Sequence, residues 1–536
     1  MFQSALALTP VFFLTYLIRF NILGIPTNVL EVFMGILFIW WLAKGPSNRF
    51  SVHKKNRLSV TIAILFIVST TIALFTTVTN LPAEFIKVPL GIWKGWVVAP
   101  FLMFIMMIST FTSRSSIEKL QRNYILTAGT YALLAVIQFF TNIFPGPATT
   151  YDNRLVWPYF DPWTFEGSSA NYPAMFLVPA LVLGVFLTIH RIKYSKAPLL
   201  KSLQKNTHLI LSVIAMCVAI YLTQSFAAWL TVILSITIGL FLQIPSQKKW
   251  WIPAGATIAL ILMVVSQLGS EKFQYFLKTE GDSSTAERIR IYNVSWEMIK
   301  QHPIQGIGIG QFQREFEYTA PDVFGRGIIQ KEIDHALHAH NIFLMMYLSF
   351  GILGLITFLG LIFILLRKNP IDIDVILIVP LVAIVIHGLF DVPYFKNDLA
   401  FIFWYITGLI CIGKQSPFLI PIKVTKGMGE ATKMGFPTVN MQIPDKTPLP
   451  YGVYTASLIT PIGTHPGVLG YGKRLTQNID EETCEIHLLD VKSFMQAEGT
   501  LEVTKKIRNW KKFKDTDELR EAVQKDIAMA IKIHKS

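Results

Sequence analysis

The chain has 536 residues, of which 52% are hydrophobic and only 15% charged, and its mean hydropathy is +0.47. Soluble globular domains carry roughly a quarter charged residues, so the composition excludes a purely soluble protein and points to a polytopic membrane chain. The formal net charge of +14 sits largely in short loops between apolar runs, which fits an anionic membrane surface and argues against nucleic acid as a partner.

A spanning helix needs about 20 mostly apolar residues, and about twelve segments meet that requirement. They lie near 5–23, 28–44, 58–79, 92–111, 123–143, 172–190, 208–223, 226–244, 250–268, 341–366, 373–393 and 397–413. The first, within MFQSALALTPVFFLTYLIRF, lacks a basic leader and a small-residue cleavage site, so it is expected to be an uncleaved helix. Every second loop is rich in Lys and Arg: KGPSNRFSVHKKNR, SRSSIEKLQR, HRIKYSKAPLLKSLQK, SQKK and RKN. The positive-inside rule puts these loops, both termini and everything after residue 413 in the cytoplasm. LPAEFIKVP, the 144–171 loop and the large 269–340 loop between spans nine and ten are then outside. The expected setting is the inner (plasma) membrane, with the lipid bilayer as the surrounding medium. The cysteines Cys217, Cys411 and Cys484 form no Cys-x-x-Cys pair, so neither a disulfide framework nor a zinc knuckle is expected.

After a linker at 414–419 the composition changes. Residues 420–536 hold many charges, turn signals such as YG and PIG, and alternating runs such as GVYTASLI and CEIHLLDV, which read as strands. TDELREAVQKDIAMAIKIHK has apolar residues at helical spacing, with Thr516 as the expected N-cap. This is a soluble α+β domain large enough for one small core.

Two stretches carry chemistry. The first is HALHAHNIFLMMYLSFGILG, where His335, His338 and His340 crowd the mouth of the tenth span in a chain with 11 histidines. Histidine is tolerated at a water-facing helix mouth, and His-x-x-His-x-His beside Asp334 also offers metal ligands. Upstream, STAERIRIYNVSWEMIKQHPIQGIGIGQF reads as an amphipathic helix, a break at Pro303, and a turn at Gly306, Gly308 and Gly310. That glycine run is a weak phosphate signal with no strand before it.

His340, Asn341, nine residues, Gly351, two residues and Gly354 together resemble the signature of the O-antigen ligase and polymerase family of membrane glycosyltransferases. ERIRIYNVSWEMIKQHPIQGIGIGQF resembles that family's arginine-bearing helix and turn, with Arg288 at the family's arginine, and FEGSSANYPAMFLVPALVL resembles the opening of its sixth span. The resemblance covers residues 1–413. It implies an all-α membrane domain whose external loop 269–340 is catalytic. A glycan on a polyprenyl diphosphate would be transferred to a hydroxyl of an acceptor glycan, without cofactor. His340 would be the general base, with His338 second. Arg288 would contact the diphosphate, with Arg290 in reserve, and Asn341 would orient the ring or the sugar. The family's Ser-Arg opening of the eighth span is here TQSFAAWL, with Phe226 in place of the arginine. Arg154, on the same side, is a candidate substitute.

The second stretch is GMGEATKMGFPTVNM. Its GFPTVN resembles the Gly-x-Pro-Thr-Ala-Asn motif of riboflavin kinases, and YGVYTASL, GYGKRLT, CEIHLLD, IRNWKKF and DELREAVQKDI follow in that family's order. The resemblance covers nearly all of 420–536 and implies a small six-stranded β-barrel with a C-terminal helix. The activity implied is transfer of the ATP γ-phosphate to riboflavin, giving FMN. Thr438 and Asn440 would hold Mg²⁺, and Glu485 would be the base. Gly427, Gly429, Gly435 and Pro437 would shape the ATP and flavin site. Departures are Glu430 within the glycine-rich stretch, RLT at Arg474 to Thr476, and Trp510 where the family has glutamate. The expectation is therefore a two-module transferase. A non-catalytic flavin- or nucleotide-binding tail is one alternative. A transporter is another, with Glu31, His387 and Asp391 as the ionisable residues deep in apolar segments that would serve it.

Overall fold

The computed structural model describes residues 1–22, 24–43, 56–149, 153–159, 169–193, 195, 197–243, 251–269, 273–274, 284–324, 336–367, 372–415, 418–425, 435–443, 447, 449–473, 482–489, 497–511, 513 and 515–535. It divides into two compact units. The first comprises Met1–Thr188, Asn206–Arg367 and Ile376–Gln415, and the second comprises Ile189–Lys205, Lys368–Val375 and Ser416–Ser536.

The N-terminal segment departs from expectation. It is a short helix α1 (Phe2–Ala7), a 3₁₀ stretch (Thr9–Leu17) and a hairpin of β1 (Arg19–Ile22) and β2 (Ile25–Asn28), not one helix over 5–23. Pro10 supplies the reason. It has no N–H to donate and its ring crowds the preceding turn, which disfavours a continuous α-helix, and the chain restarts there as a 3₁₀ stretch with Pro10 in its first turn. The other eleven expected segments are helical, and their bounds follow the apolar runs closely. They are α2 (Val29–Ala43), α3 (Arg57–Thr79), α4 (Lys87–Trp93) running through a π-turn into α5 (Ala99–Thr110), α6 (Arg114–Thr141) and α7 (Asn171–Lys193). After the short α8 (Leu199–Lys205) come α9 (Thr207–Leu222), α10 (Phe226–Gln243) and α11 (Trp251–Val265). The helices of the 269–340 loop are α12 (Ser284–Gln301) and α13 (Phe312–Phe324), followed by α14 (Ile342–Leu366), α15 (Asp372–His387) and α16 (Asn397–Gln415). Among the described residues, six helices are long and apolar enough to cross a membrane, or seven if the bent pair α8–α9 is one span. Three more apolar helices are shorter.

Aromatic side chains fill the interior of this unit. Trp404 of α16 is fully buried among Phe66, Phe101, Phe104 and Phe403. Its indole N–H donates to the Tyr394 hydroxyl, which in turn donates to the Trp96 carbonyl. A buried ring that size adds stability only when its polar end is satisfied, and here it is. Glu31 is a structural residue: it pairs with Lys94 at 2.8 Å and accepts from Asn397 at 2.9 Å.

The glycines of the turn after α12 have a structural use. Gly306, Gly308 and Gly310 all have positive φ, and α14 is broken at Gly351, whose φ is 70°. The break frees the Leu348 carbonyl, which accepts from the Ile307 and Gly308 N–H groups, while Ile352 N–H donates to the Ile304 carbonyl. The turn's amides are thus spent on the kinked helix, which positions the mouth of α14 against the end of α12. A side chain at residue 351 would place Cβ 2.6 Å from the Ile304 oxygen, so only glycine permits the contact.

The second unit contains a closed antiparallel barrel of β3 (Phe418–Thr425), β4 (Val439–Gln442), β5 (Gly452–Thr460), β6 (Gly463–Lys473), β7 (Glu482–Leu488) and β8 (Glu498–Asn509), in the order β3-β4-β7-β6-β5-β8. Alternate residues point inward, and Ile420, Ile422, Tyr454, Leu469, Ile486 and Leu501 form its core. The C-terminal helix α17 (Thr516–Lys535) packs on β5, β6 and β8. Its N-cap is Asp515, whose carboxylate accepts from Glu518 N–H at 2.8 Å, one residue before the expected Thr516. Arg508 of β8 anchors the helix through a bidentate ion pair with the buried Asp526, at 2.8 Å.

Candidate active sites

The histidines of the first unit sit where three elements meet. Asn341 caps α14, its side-chain oxygen accepting from the Phe343 and Leu344 N–H groups at 3.0 Å each. The same amide donates to the Leu389 carbonyl, and Ile342 N–H donates to Gly388. These bonds tie the mouth of α14 to the turn after α15. The preceding residue, His340, is held in the left-handed region at φ 47°, a conformation that a bulky residue adopts only when its surroundings enforce it. Tyr292 of α12 donates to its carbonyl at 3.1 Å.

This geometry brings His340 Nδ1 to 3.7 Å from the Asp391 carboxylate, which is 1% exposed. The His338 and His340 ring centroids are 4.2 Å apart. Burial, reinforced by His338 and Arg288 and opposed by Asp391, pushes the His340 pKa down to about 3. His338 is lowered too, first by burial. The Asp391 carboxylate is buried beside these rings, within the electrostatic reach of the Arg288 guanidinium. The cluster is therefore neutral imidazole beside carboxylate. His338, His340 and Asp391 also offer atoms within 4.8 Å of one another, a spacing that could hold a metal ion. The positive charge of Arg288, felt at all three, opposes a cation there. His335 and Asp334, the other ligands considered, lie outside the described residues.

Arg288 faces this cluster from α12, and its buried Nε has no hydrogen-bond partner. Arg290 is two residues on, about 200° round the helix, and so on another face. Arg154 lies at a different corner: its guanidinium donates to the Thr223 carbonyl at 2.9 Å and to Asn171 at 3.3 Å. That places it against the turn just before Phe226, whose ring packs edge-on against Trp229 and Phe273. Asp391 was visible in the sequence only as an odd carboxylate in an apolar stretch. Its partnership with a histidine 51 positions earlier exists only in the fold. His387, at the end of α15, belongs to the same buried cluster.

In the barrel, the turn at Gly435, with φ 89°, leads through Pro437 and Thr438 into β4. Asn440 and Glu485 are cross-strand partners of β4 and β7. The Thr438 hydroxyl donates to the Glu485 carboxylate at 3.0 Å. His487 secures the turn through the Pro437 carbonyl at 2.8 Å. The Thr438 hydroxyl and the Glu485 carboxylate thus meet, with Asn440 opposite Glu485 in the ladder, and all three are oxygen donors of the kind Mg²⁺ takes. Gly427, Gly429, Glu430, Arg474 and Thr476 lie outside the described residues. Trp510 is a packing residue: it covers Gly472, donates its indole N–H to the Lys473 carbonyl at 2.8 Å, and joins the cluster beneath α17.

The molecule is a helical membrane unit with a buried histidine–carboxylate site, joined to a closed-barrel unit with a polar oxygen site. Comparison with known families agrees with both halves. Residues 211–359 match the O-antigen ligase family and residues 414–534 match riboflavin kinase. One segment of the chain is thus similar to O-antigen ligases and another to riboflavin kinases, and the two matches support a two-module protein of transferase type. No curated protein matches the chain. Among solved structures, a macrolide-efflux protein from Streptococcus pneumoniae is 23% identical over 22% of this chain, with a TM-score of 0.20. The chain covers 39% of that structure, and the likeness is too slight to carry an argument.

Proposed function

We propose that the first module, residues 1–413, transfers a glycan from a polyprenyl diphosphate to an acceptor hydroxyl on the outer face of the membrane, with both chain termini in the cytoplasm. The observation that carries this reading is the pairing of neutral His340 with buried Asp391 near Arg288, whose buried Nε has no hydrogen-bond partner among the described residues. With Nδ1 turned toward Asp391, His340 Nε2 is left to take the acceptor's proton as its oxygen bonds to the anomeric carbon. The bond from that carbon to the diphosphate breaks, and Arg288 stabilises the departing oxygens. Asp391 stabilises the imidazolium as it forms, as the carboxylate of a catalytic triad does. Loss of transfer in His340→Ala, with the protein still folded and inserted, tests the assignment. Surviving transfer would refute it.

The second module, residues 420–536, converts riboflavin to FMN in the cytoplasm. The Thr438–Glu485 hydrogen bond carries this reading, because it places the proposed base beside the proposed metal ligands. Glu485 takes the proton of the riboflavin hydroxyl as its oxygen bonds to the γ-phosphorus of ATP and the bond to the β-phosphate breaks. Thr438 and Asn440 would hold Mg²⁺, which supplies charge neutralisation on the phosphates. Riboflavin phosphorylation by the full chain with Mg-ATP, lost in Glu485→Gln, tests this. Flavin binding without turnover would favour a sensor over a kinase.

A further inference from the structure

Trp510 is the only tryptophan of residues 420–536 and stands where the riboflavin kinase resemblance puts a glutamate. Its indole lies flat along β6. A Cβ at residue 472 would come 2.5, 2.6 and 2.7 Å from Cδ2, Cε2 and Cγ of the ring, and a Cβ at residue 470 would lie 3.4 and 3.7 Å from Cζ3 and Cη2. Gly470 and Gly472 thus form a floor under one face. The indole N–H, donating to the Lys473 carbonyl at 2.8 Å, fixes the ring's direction. Leu469, Tyr471, Cys484 and Ile486 point into the barrel core, so Gly470, Gly472 and Glu485 share the outer face. Gly470 is the cross-strand partner of Glu485, and partners on one face stand about 5 Å apart. The benzo end of the indole is therefore next to the proposed base. Its pyrrole end lies two residues further along the strand, about 7 Å away. The ring is half-buried and packs with Ile527 and Ala530 of α17 in one cluster, so it lies between that helix and β7.

Resting on the riboflavin-phosphorylation reading, we propose that Trp510 stacks on the isoalloxazine ring of riboflavin and so holds the ribityl hydroxyl at Glu485. Riboflavin is a flat tricyclic ring with a polyol chain that ends in the hydroxyl to be phosphorylated. Glu485 meets that hydroxyl only when the ring lies a chain's length away, and the indole presents an aromatic surface over that reach. Flat rings in offset contact attract one another beyond the area they bury, and a glutamate at 510 has no such surface. Trp510 is then a binding residue that selects a planar ring. The proton of the hydroxyl still goes to Glu485.

The test uses the purified full chain in lipid nanodiscs and reads flavin fluorescence on binding alongside FMN formation with Mg-ATP. Bound riboflavin should lose its fluorescence, because an indole in face contact quenches an isoalloxazine. Lumiflavin, which keeps the ring and lacks the ribityl chain, should depend on Trp510 in the same way. Trp510→Leu should weaken riboflavin binding and raise its KM by about five- to a hundredfold, with kcat changed far less and ADP affinity unchanged. Trp510→Phe should keep most of the binding and lose the quenching. An unchanged KM in Trp510→Leu, with FMN still formed, would overturn the proposal and leave the kinase reading standing. Loss of ADP affinity without loss of riboflavin affinity would overturn it as well, assigning the indole to the nucleotide. Trp510-dependent quenching in a native chain that makes no FMN would support the stacking and overturn the kinase reading. A native chain that binds no flavin would overturn both. Should Trp510→Leu not fold, Trp510→Phe decides: quenching that persists there would overturn the proposal.

Discussion

His340 owes its environment to its neighbours more than to its own sequence position. A left-handed backbone, an Asn341 cap and a Tyr292 hydrogen bond fix the ring against Asp391. Replacing it with alanine should cost about 10²- to 10⁴-fold in transfer rate with little change in melting temperature, measured on the same detergent-solubilised sample. Because burial holds its pKa near 3, the base is already neutral at mildly acid pH. The transfer rate should therefore stay level between about pH 5 and 8; a fall centred on histidine's ordinary value of 6.5 would show that His340 titrates freely. The sign for stability is opposite in sense to a salt-bridged histidine. A depressed folded-state pKa means that protons favour the unfolded chain, so stability declines as pH drops below 6.5 toward 3. His340, His338 and Arg288 were expected from the family resemblance. Asp391 was not tied to them, because a residue some fifty positions from the histidines is joined to them by packing and not by local pattern.

At the level of elements, the break in α14 joins two motifs that look separate in the sequence. Gly351 belongs to the histidine signature and Gly306 to the upstream turn, yet each exists to admit the other's backbone. Gly351→Ala forces a strained φ and a close contact together, and should destabilise the first unit toward the upper end of the usual range of about 0.5–3 kcal/mol, seen as a lowered melting temperature. In the barrel, Arg508→Ala leaves Asp526 buried without its partner and should cost about 3–5 kcal/mol, read by chemical denaturation; a change below about 1 kcal/mol would mean that α17 is held by its apolar face alone. Helices were legible from apolar runs because length and composition dominate there. The N-terminal segment was not, since its apolar run conceals Pro10. The cap of α17 was missed by one residue because Asp515 and Thr516 are both good caps by type.

For the whole molecule, twelve spans were expected, and among the described residues six or seven helices meet the length and hydropathy of a crossing, with three shorter apolar helices. The alternation of basic loops remains the argument for orientation, and cysteine accessibility at residues 47 and 272 would check it, with labelling from outside expected only at 272. The closed barrel was legible as a fold from ordered motifs, but its strand order comes only from the pairing. Two transferase modules with separate sites should fail separately. The direct measurement is FMN formation from riboflavin and Mg-ATP by the purified full chain, compared between His340→Ala and Glu485→Gln. His340→Ala should make FMN at the native rate and Glu485→Gln should make essentially none, whereas a native chain that binds riboflavin without producing FMN would contradict the two-enzyme account.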